Sequence, residues 1–307
     1  MKLLRTILLF TTLLIFTNCT DEYYSMCPPL HNVSLYFSLP NKQGEEIFSD
    51  QISSVDVYVY DDTGTFMLLQ RVNKSDLNEF QGTHLLLEPG SYDAICWANM
   101  NELTHAVGVE NATNPAVTYQ EVIGNQVQQA DSLYTAKEII PRIAAETRAS
   151  SSYRITVPEE GNYEGTALFT AAHRQIEVYI EGYTNNGVPA LPEVELTGLP
   201  KALSLLNMAP SKGATVNFKQ LTQETTILDK IYAGAKFHTL WFDLDNSIHI
   251  NIFNPSTGEL IFEVPLIDAI EASTDPNELI IRVVFEFING EVEITFPGWD
   301  SGDIGWD

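Results

Sequence analysis

The sequence predicts an all-β chain of two β-sandwich domains in tandem. Three observations carry this. Short runs of alternating apolar and polar residues recur from Val33 to Phe296, the period-two pattern of half-buried strands. Turn residues separate them at close intervals, and no stretch shows a sustained helical period. A length of 307 residues leaves room for two ordinary domains, and 44% apolar content is enough to give each a core.

The first element is not part of the fold. Lys2 and Arg5 form a positive start, Ile7–Phe16 is apolar, and Phe16-Thr17-Asn18-Cys19 ends the run before Asp21-Glu22. The run is about half the length a spanning helix needs, so residues 1–18 read as an export signal. A cysteine at the end of a bacterial signal accepts a diacylglycerol on its thiol and often a further acyl chain on the new amine. Several chains hold a protein on a membrane far better than one. Cys19 is thus the expected lipidation site and residues 19–32 a lipidated tether; the alternative is a secreted protein in which Cys19 is incidental. Of the other cysteines, Cys27 and Cys96 fit either one disulfide, as an exported chain favours, or two buried thiols. The disulfide would stabilise the fold by at most about 4 kcal/mol.

The first domain is expected over residues 33–150. Val33–Leu39 alternates and stops at Pro40, and Val55–Tyr60 alternates, turns at Asp61-Asp62-Thr63-Gly64 and returns through Phe66–Leu69. Leu85–Leu87 leads through Glu88-Pro89-Gly90 into Ser91–Ala98. Asn101–Thr147 is less periodic, with loops and short helices expected. Glu146–Ser152 reads as a boundary, with a linker between Ala145 and Glu164.

The second domain is expected over residues 151–307. Ile176–Ile180 alternates before Asn185-Asn186-Gly187. Ile248–Phe253 turns at Asn254–Gly258 and returns as Leu260–Val264, and Ile280–Ile288 turns at Asn289-Gly290 and returns as Val292–Phe296. Asn-Gly between alternating runs is a strong hairpin signal.

A formal charge of −25 repels nucleic acid and anionic headgroups, which excludes DNA binding and polybasic membrane docking. Asp62-Thr63-Gly64 matches an aspartic-protease triplet, but a second triplet is absent and a hairpin wants Asp and Gly there for backbone reasons. Asp243–Ser247 resembles the start of a calcium loop but has Ile248 where Gly is required. The histidines (31, 84, 105, 173, 238 and 249) have no metal-ligand spacing. No catalytic residue, metal or cofactor is expected. Trp97, Trp241, Trp299 and Trp306 are the residues that could stack on sugars; Trp97 sits in an apolar strand, and Trp299 and Trp306 lie in a polar tail.

Cys19 with its acidic followers, Val55–Phe66, and Leu87-Glu88-Pro89-Gly90-Ser91-Tyr92 with Cys96-Trp97-Ala98-Asn99 together resemble the fimbrillin-type lipoproteins of Bacteroidales, specifically FimB-like fimbrium anchor subunits. The resemblance covers most of the chain after the signal. It implies two tandem transthyretin-like Greek-key β-sandwich domains, a non-enzymatic role and residence on the outer membrane. It also implies fimbrial stalk subunits as partners through strand exchange. In that family, stalk subunits lose their first strand to a trypsin-like protease and a neighbour's strand fills the groove, a case of β-strand addition. Here no Lys or Arg lies between Cys19 and Lys42, so nothing before or within Val33–Leu39 can be cut, which fits an anchor that keeps strand and lipid. Such an anchor donates a strand. Val292, Ile294 and Phe296, with Trp299 and Trp306 beyond, form the candidate donor and partner contact; the alternative is that this strand closes its own sandwich. Asp131-Ser132-Leu133 fits the O-glycosylation pattern of Bacteroidetes, at Ser132. Competing functions are a surface glycan-binding lipoprotein of a polysaccharide-uptake system and a tip or accessory fimbrial subunit.

Overall fold

The structure is a computed structural model. It describes residues 31–110, 114–124, 126–127, 129–142, 153–183, 191–245, 247–270, 279–288 and 291–295. The first half contributes β1 (Val33–Ser38), α1 (Phe48–Gln51), β2 (Ser54–Asp61), β3 (Phe66–Asn73), α2 (Lys74–Glu79), β4 (Gly82–Leu85), β5 (Gly90–Ala98), β6 (Thr104–Val107), β7 (Ala116–Tyr119), β8 (Gln126–Val127), β9 (Tyr134–Pro141), β10 (Arg154–Val157) and β11 (Tyr163–Ala171). Eight of these strands form one sheet in the order β3-β2-β5-β9-β11-β1-β4, with β10 beside β5. Alternation places Val33, Leu35 and Phe37 of β1 in one core with Val55, Val57 and Val59 of β2 and with Ala94, Cys96 and Ala98 of β5. Phe37, Phe48 and Phe169 meet at its centre, with ring centroids 5.6–5.8 Å apart.

The β2–β3 connection is the turn the sequence predicts. One oxygen of Asp61 accepts the backbone N–H of Thr63 at 2.9 Å and of Thr65 at 2.8 Å, and the Thr63 hydroxyl at 2.7 Å. Gly64 supplies the positive φ of 81°. Those bonds, the Thr63 hydroxyl first, hold the Asp61 carboxyl below its ordinary pKa.

The second half contributes β12 (His173–Glu181), β13 (Glu193–Pro200), β14 (Ala202–Ser204), β15 (Thr215–Leu221), β16 (Gln223–Ile227), β17 (Lys230–Leu240), β18 (His249–Phe253), β19 (Leu260–Pro265), β20 (Ile280–Ile288) and β21 (Glu291–Thr295). All of these but β14 build, with β8 of the first half, two five-stranded sheets, β16-β17-β12-β20-β21 and β19-β18-β13-β15-β8, while β14 joins β7 and β6 in a three-stranded sheet. Ile176, Val178 and Ile180 of β12 share a core with Leu196 of β13, Phe218 of β15, Phe237 of β17 and Ile250 of β18, the interior of a sandwich. At Gly198 of β13 (φ 79°), a Cβ would stand 2.0 Å from the carbonyl oxygen of Ser247, so only glycine lets the two segments approach.

The strand pairing moves the expected boundary. Beyond Ser150, β10 pairs with β5 (Ile155 opposite Tyr92) and β11 pairs with β9 and, in parallel, with β1. The first sheet therefore extends to Ala171 rather than ending at 150. In the other direction β7 pairs with β14 and β8 with β15, so part of the irregular stretch after Asn101 is built into the second half. Composition suggests a linker between Ala145 and Glu164, but β10 lies inside that range, and it and β11 return to the first sheet.

The two halves share a core. Tyr58, Tyr60, Ile95 and Trp97, on the opposite face of β2 and β5, belong to the same buried cluster as the second sandwich. Trp97 is 0% exposed, and its Nε1–H donates to the Leu205 carbonyl at 2.8 Å. Burial on both faces explains why Ala94–Ala98 is apolar throughout. Asp56 is buried among them and is matched by a fork of two 2.6 Å bonds from Arg71.

Two outcomes follow from local features of this fold. Leu228 and Asp229 join β16 to β17 with φ of 47° and 63°, a turn that favours Asn-Gly, and Leu228 is 61% exposed. A Leu228→Asn, Asp229→Gly variant should gain about 1 kcal/mol in urea unfolding, because an L side chain in the left-handed region costs roughly that much; an unchanged midpoint would refute the strain. His173 is buried, and its Nδ1 hydrogen-bonds the Leu133 carbonyl at 2.7 Å. Burial lowers its pKa to about 4, against a partial rise from that bond; burial also lowers His84 and His238. A histidine with a depressed folded pKa takes up its proton on unfolding. Its contribution is complete above its unfolded value of about 6.5 and is lost as pH falls towards 4. Melting temperature should fall over that window, and less steeply in His173→Gln.

Candidate functional site

The first strand is the best-defined candidate. β1 lies between β11, parallel to it from Val33–Tyr163 to Ser38–Leu168, and β4, antiparallel from Val33–Leu85 to Tyr36–Gly82. Val33 and Leu35 are 0% exposed. Gly82 allows β4 to close on this strand, since a Cβ there would meet the Leu35 carbonyl oxygen at 2.2 Å. On the other face the Arg142 guanidinium lies 3.5 Å from the Tyr36 ring centroid, and Ser34 Oγ contacts His84 Nδ1 at 3.1 Å. Asn32 holds the start of the strand by exchanging hydrogen bonds with the backbone of Leu87 at 2.6 and 2.9 Å. The slot is filled by the chain's own residues.

Immediately after β1 comes a tight turn. Asn41 Oδ1 accepts the N–H groups of Gln43 and Glu45 at 3.0 and 2.8 Å, and Lys42 is exposed between them. No Lys or Arg lies between Cys19 and the end of the strand, and the first basic residue, Lys42, stands at an exposed turn just behind it. That position was legible in the sequence; its exposure was not.

At the other end of the chain, β21 pairs antiparallel with β20, Phe287 opposite Val292 and Phe285 opposite Ile294. Val292 and Ile294 pack partly buried against the large core. Of the two readings of this strand, the structure has it closing its own sandwich. Among the described residues it is the outermost strand of its sheet. Glu291 and Glu293 are exposed, and Glu293 stands opposite Glu286; such charge discourages indiscriminate edge pairing. The facing sheet also ends nearby, where Phe262 of β19 contacts Phe285 at 5.5 Å between centroids. Phe296, Trp299 and Trp306 lie outside the described residues, as do Cys19 and Cys27.

Cys96 is a free thiol, wholly buried, and desolvation pushes its pKa up to about 12. That is the buried-thiol alternative rather than the expected disulfide: the side chain points into the core of the first sheet, among Val57, Ala94 and Ala98. Ser132 is exposed, while Asp131 beside it accepts the N–H groups of Asn101, Leu103 and Thr104 at 2.9–3.2 Å. Asp245 caps the Ser247 N–H at 2.8 Å, a polar turn before β18. Among the described residues no three His, Cys, Asp or Glu side chains converge as a metal site, and no helix is long and apolar enough to cross a membrane.

The family model of fimbrillin-A associated anchor proteins Mfa1 and Mfa2 matches residues 24–304. This chain belongs to that family. Its fold recurs in solved structures of low identity. A putative adhesin from Bacteroides ovatus superposes with a TM-score of 0.66 at 15% identity, covering 88% of this chain and 94% of that one. The fimbrial anchor protein Mfa2 from Porphyromonas gingivalis gives 0.60 at 14% identity, covering 86% and 94%. A structure from Bacteroides thetaiotaomicron described as a putative polysaccharide binding protein gives 0.65 at 14% identity, covering 87% and 98%. No curated protein matches. Membership in this anchor family is a structural role in a cell-surface fimbrium, and the fold is the β-sandwich build of these anchors and adhesins.

Replacing Gly82 by Ala should cost about 1–3 kcal/mol, the range for forcing atoms into a packed site. Hydrogen exchange should show the β1 amides losing protection before those of β20; equal protection in both strands would mean that Gly82 does not govern the seating of β1.

Proposed function

We propose that this chain is the acylated, cell-proximal anchor subunit of a fimbrium. The observation that supports this best is β1, seated between β11 and β4 with its apolar face in the core. A subunit that keeps this strand offers no empty groove, so it cannot accept a neighbour's strand there. Growth has a defined end at such a subunit, and this limits fimbrial length. Attachment runs through acyl chains on Cys19, several of which hold a protein on the outer membrane more stably than one. The adjacent stalk subunit is reached from the C-terminal side: β21 ends its sheet among the described residues, and strand addition to a sheet edge supplies ladder hydrogen bonds. The polar tail after Pro297, with Trp299 and Trp306, extends this contact.

The test is extraction of the native protein from its own cells in mild detergent. Unboiled and boiled samples are compared on a denaturing gel, and the bands are read by mass spectrometry. The expected result is a heat-sensitive ladder, an acylated Cys19 peptide, and an intact bond between Lys42 and Gln43. An acylated monomer without a ladder would overturn the anchor assignment. An N-terminus at Gln43 would place the chain among processed, groove-opened subunits. Truncation at Pro297 should leave the protein folded and acylated while fimbriae are shed into the medium; normal retention would exclude the tail from the contact.

A further inference from the structure

Of the tryptophans in the described residues, Trp97 is consumed by the core, whereas Trp241 is half-buried at the wall of a cleft of about 630 Å³. The cleft lies where the end of β11, the turn between β14 and β15, and the segment after β17 meet, so both halves of the molecule line it. Its volume falls within the roughly 300–1,000 Å³ typical of small-molecule sites, which favour such junctions.

Its aromatic wall is held in place. The Arg174 side chain is 1% exposed, and its guanidinium carbon lies 4.1 Å from the Trp241 ring centroid. The backbone N–H of Trp241 donates to the Ala172 carbonyl at 3.1 Å, which holds the chain that carries the ring. The opposite wall is fixed as well. Met208 has a φ of 59°, uncommon for a residue with a side chain. Its N–H donates to the Ser204 carbonyl at 3.0 Å, and the Trp97 bond to Leu205 pins the same turn. Asn207 Oδ1 is occupied by the Ala209 N–H at 3.1 Å, which leaves its amide NH₂ as a donor. Asp243 adds an exposed carboxylate and Thr170 a hydroxyl.

A fixed indole with a carboxylate, an amide donor and a hydroxyl is chemistry for a sugar ring. The C–H face of a pyranose stacks on the aromatic surface, and its vicinal hydroxyls give acidic and amide groups donors and acceptors to meet. The net charge of −25 disfavours uronic and sialic acids. We propose that this cleft binds a neutral glycan, with Trp241 as the stacking platform and Asp243 and Asn207 as hydroxyl partners. The proposal does not depend on the anchor assignment.

The test uses the full chain in detergent. Saturation-transfer NMR and calorimetry are run with maltohexaose, cellohexaose, xylohexaose, mannohexaose and chitohexaose, and with a hexuronate as the charged control. At least one neutral oligosaccharide should bind saturably with a Kd of about 0.1–1 mM. Trp241→Ala should weaken it about tenfold or more, and Trp241→Phe less. Asp243→Asn should weaken it roughly fivefold, consistent with exchanging a charged hydrogen-bond acceptor for a neutral one. Asp243 is exposed, so that variant keeps the fold even if Trp241→Ala does not. Absence of binding by every neutral member at about 5 mM, ten times a mid-range Kd, overturns the proposal. So does binding confined to the hexuronate, or unchanged affinity in both Asp243→Asn and Trp241→Phe.

Discussion

Burial of β2 and β5 on both faces is the constraint from which the rest of the molecule follows. One face of these strands closes the core of the first sheet, and the other, through Tyr58, Tyr60, Ile95 and Trp97, enters the core of the second sandwich. These two strands thus do the work that a linker interface does in chains of independent domains. The Trp97 bond to Leu205 adds direction to what hydrophobic contact alone leaves non-directional. It fixes the turn after β14, and with it one wall of the junction cleft. The strand crossovers that mix the two halves, β7 on β14 and β8 on β15, lie against this same shared core.

Electrostatics act mainly at the surface. The acidic surplus keeps the molecule away from polyanions, and it leaves two exposed glutamates on β21, the last strand of its sheet among the described residues. An open edge guarded by like charge is selective: a strand must bring enough apolar and hydrogen-bonding gain, or compensating basic groups, to offset the repulsion. Two ion pairs on buried carboxylates serve another purpose. Asp56 with Arg71, and Glu177 with Arg282 at 2.8 Å, satisfy carboxylates that the sheet has taken out of water.

What could be read from the sequence was local. The hairpins β2–β3, β18–β19 and β20–β21 join neighbours in the chain, and Asp61–Gly64 and Asn254–Gly258 announce two of them through turn chemistry. The extent of β1 and β20 followed from alternation alone. Pairings between distant segments were not legible, because nothing in Val33–Ser38 specifies Tyr163–Leu168 as its parallel neighbour. The domain border was misplaced for that reason. Cys96 was open to two readings because an apolar strand looks the same whether its thiol is bonded or merely buried. Lys42 was visible as the first basic residue, but which side of the strand mattered depended on the turn at Asn41.

The pairing of β1 has a mechanical consequence. The strand is clasped on both sides along its length, by β11 and by β4. Tension applied along its axis through the residues before Val33 loads both ladders in shear, so their hydrogen bonds must yield together rather than one at a time. A force directed across the sheet would instead peel them in sequence. The geometry therefore resists a pull in line with the strand better than one across it, and it makes the limit of that resistance a property of the whole strand rather than of any single contact.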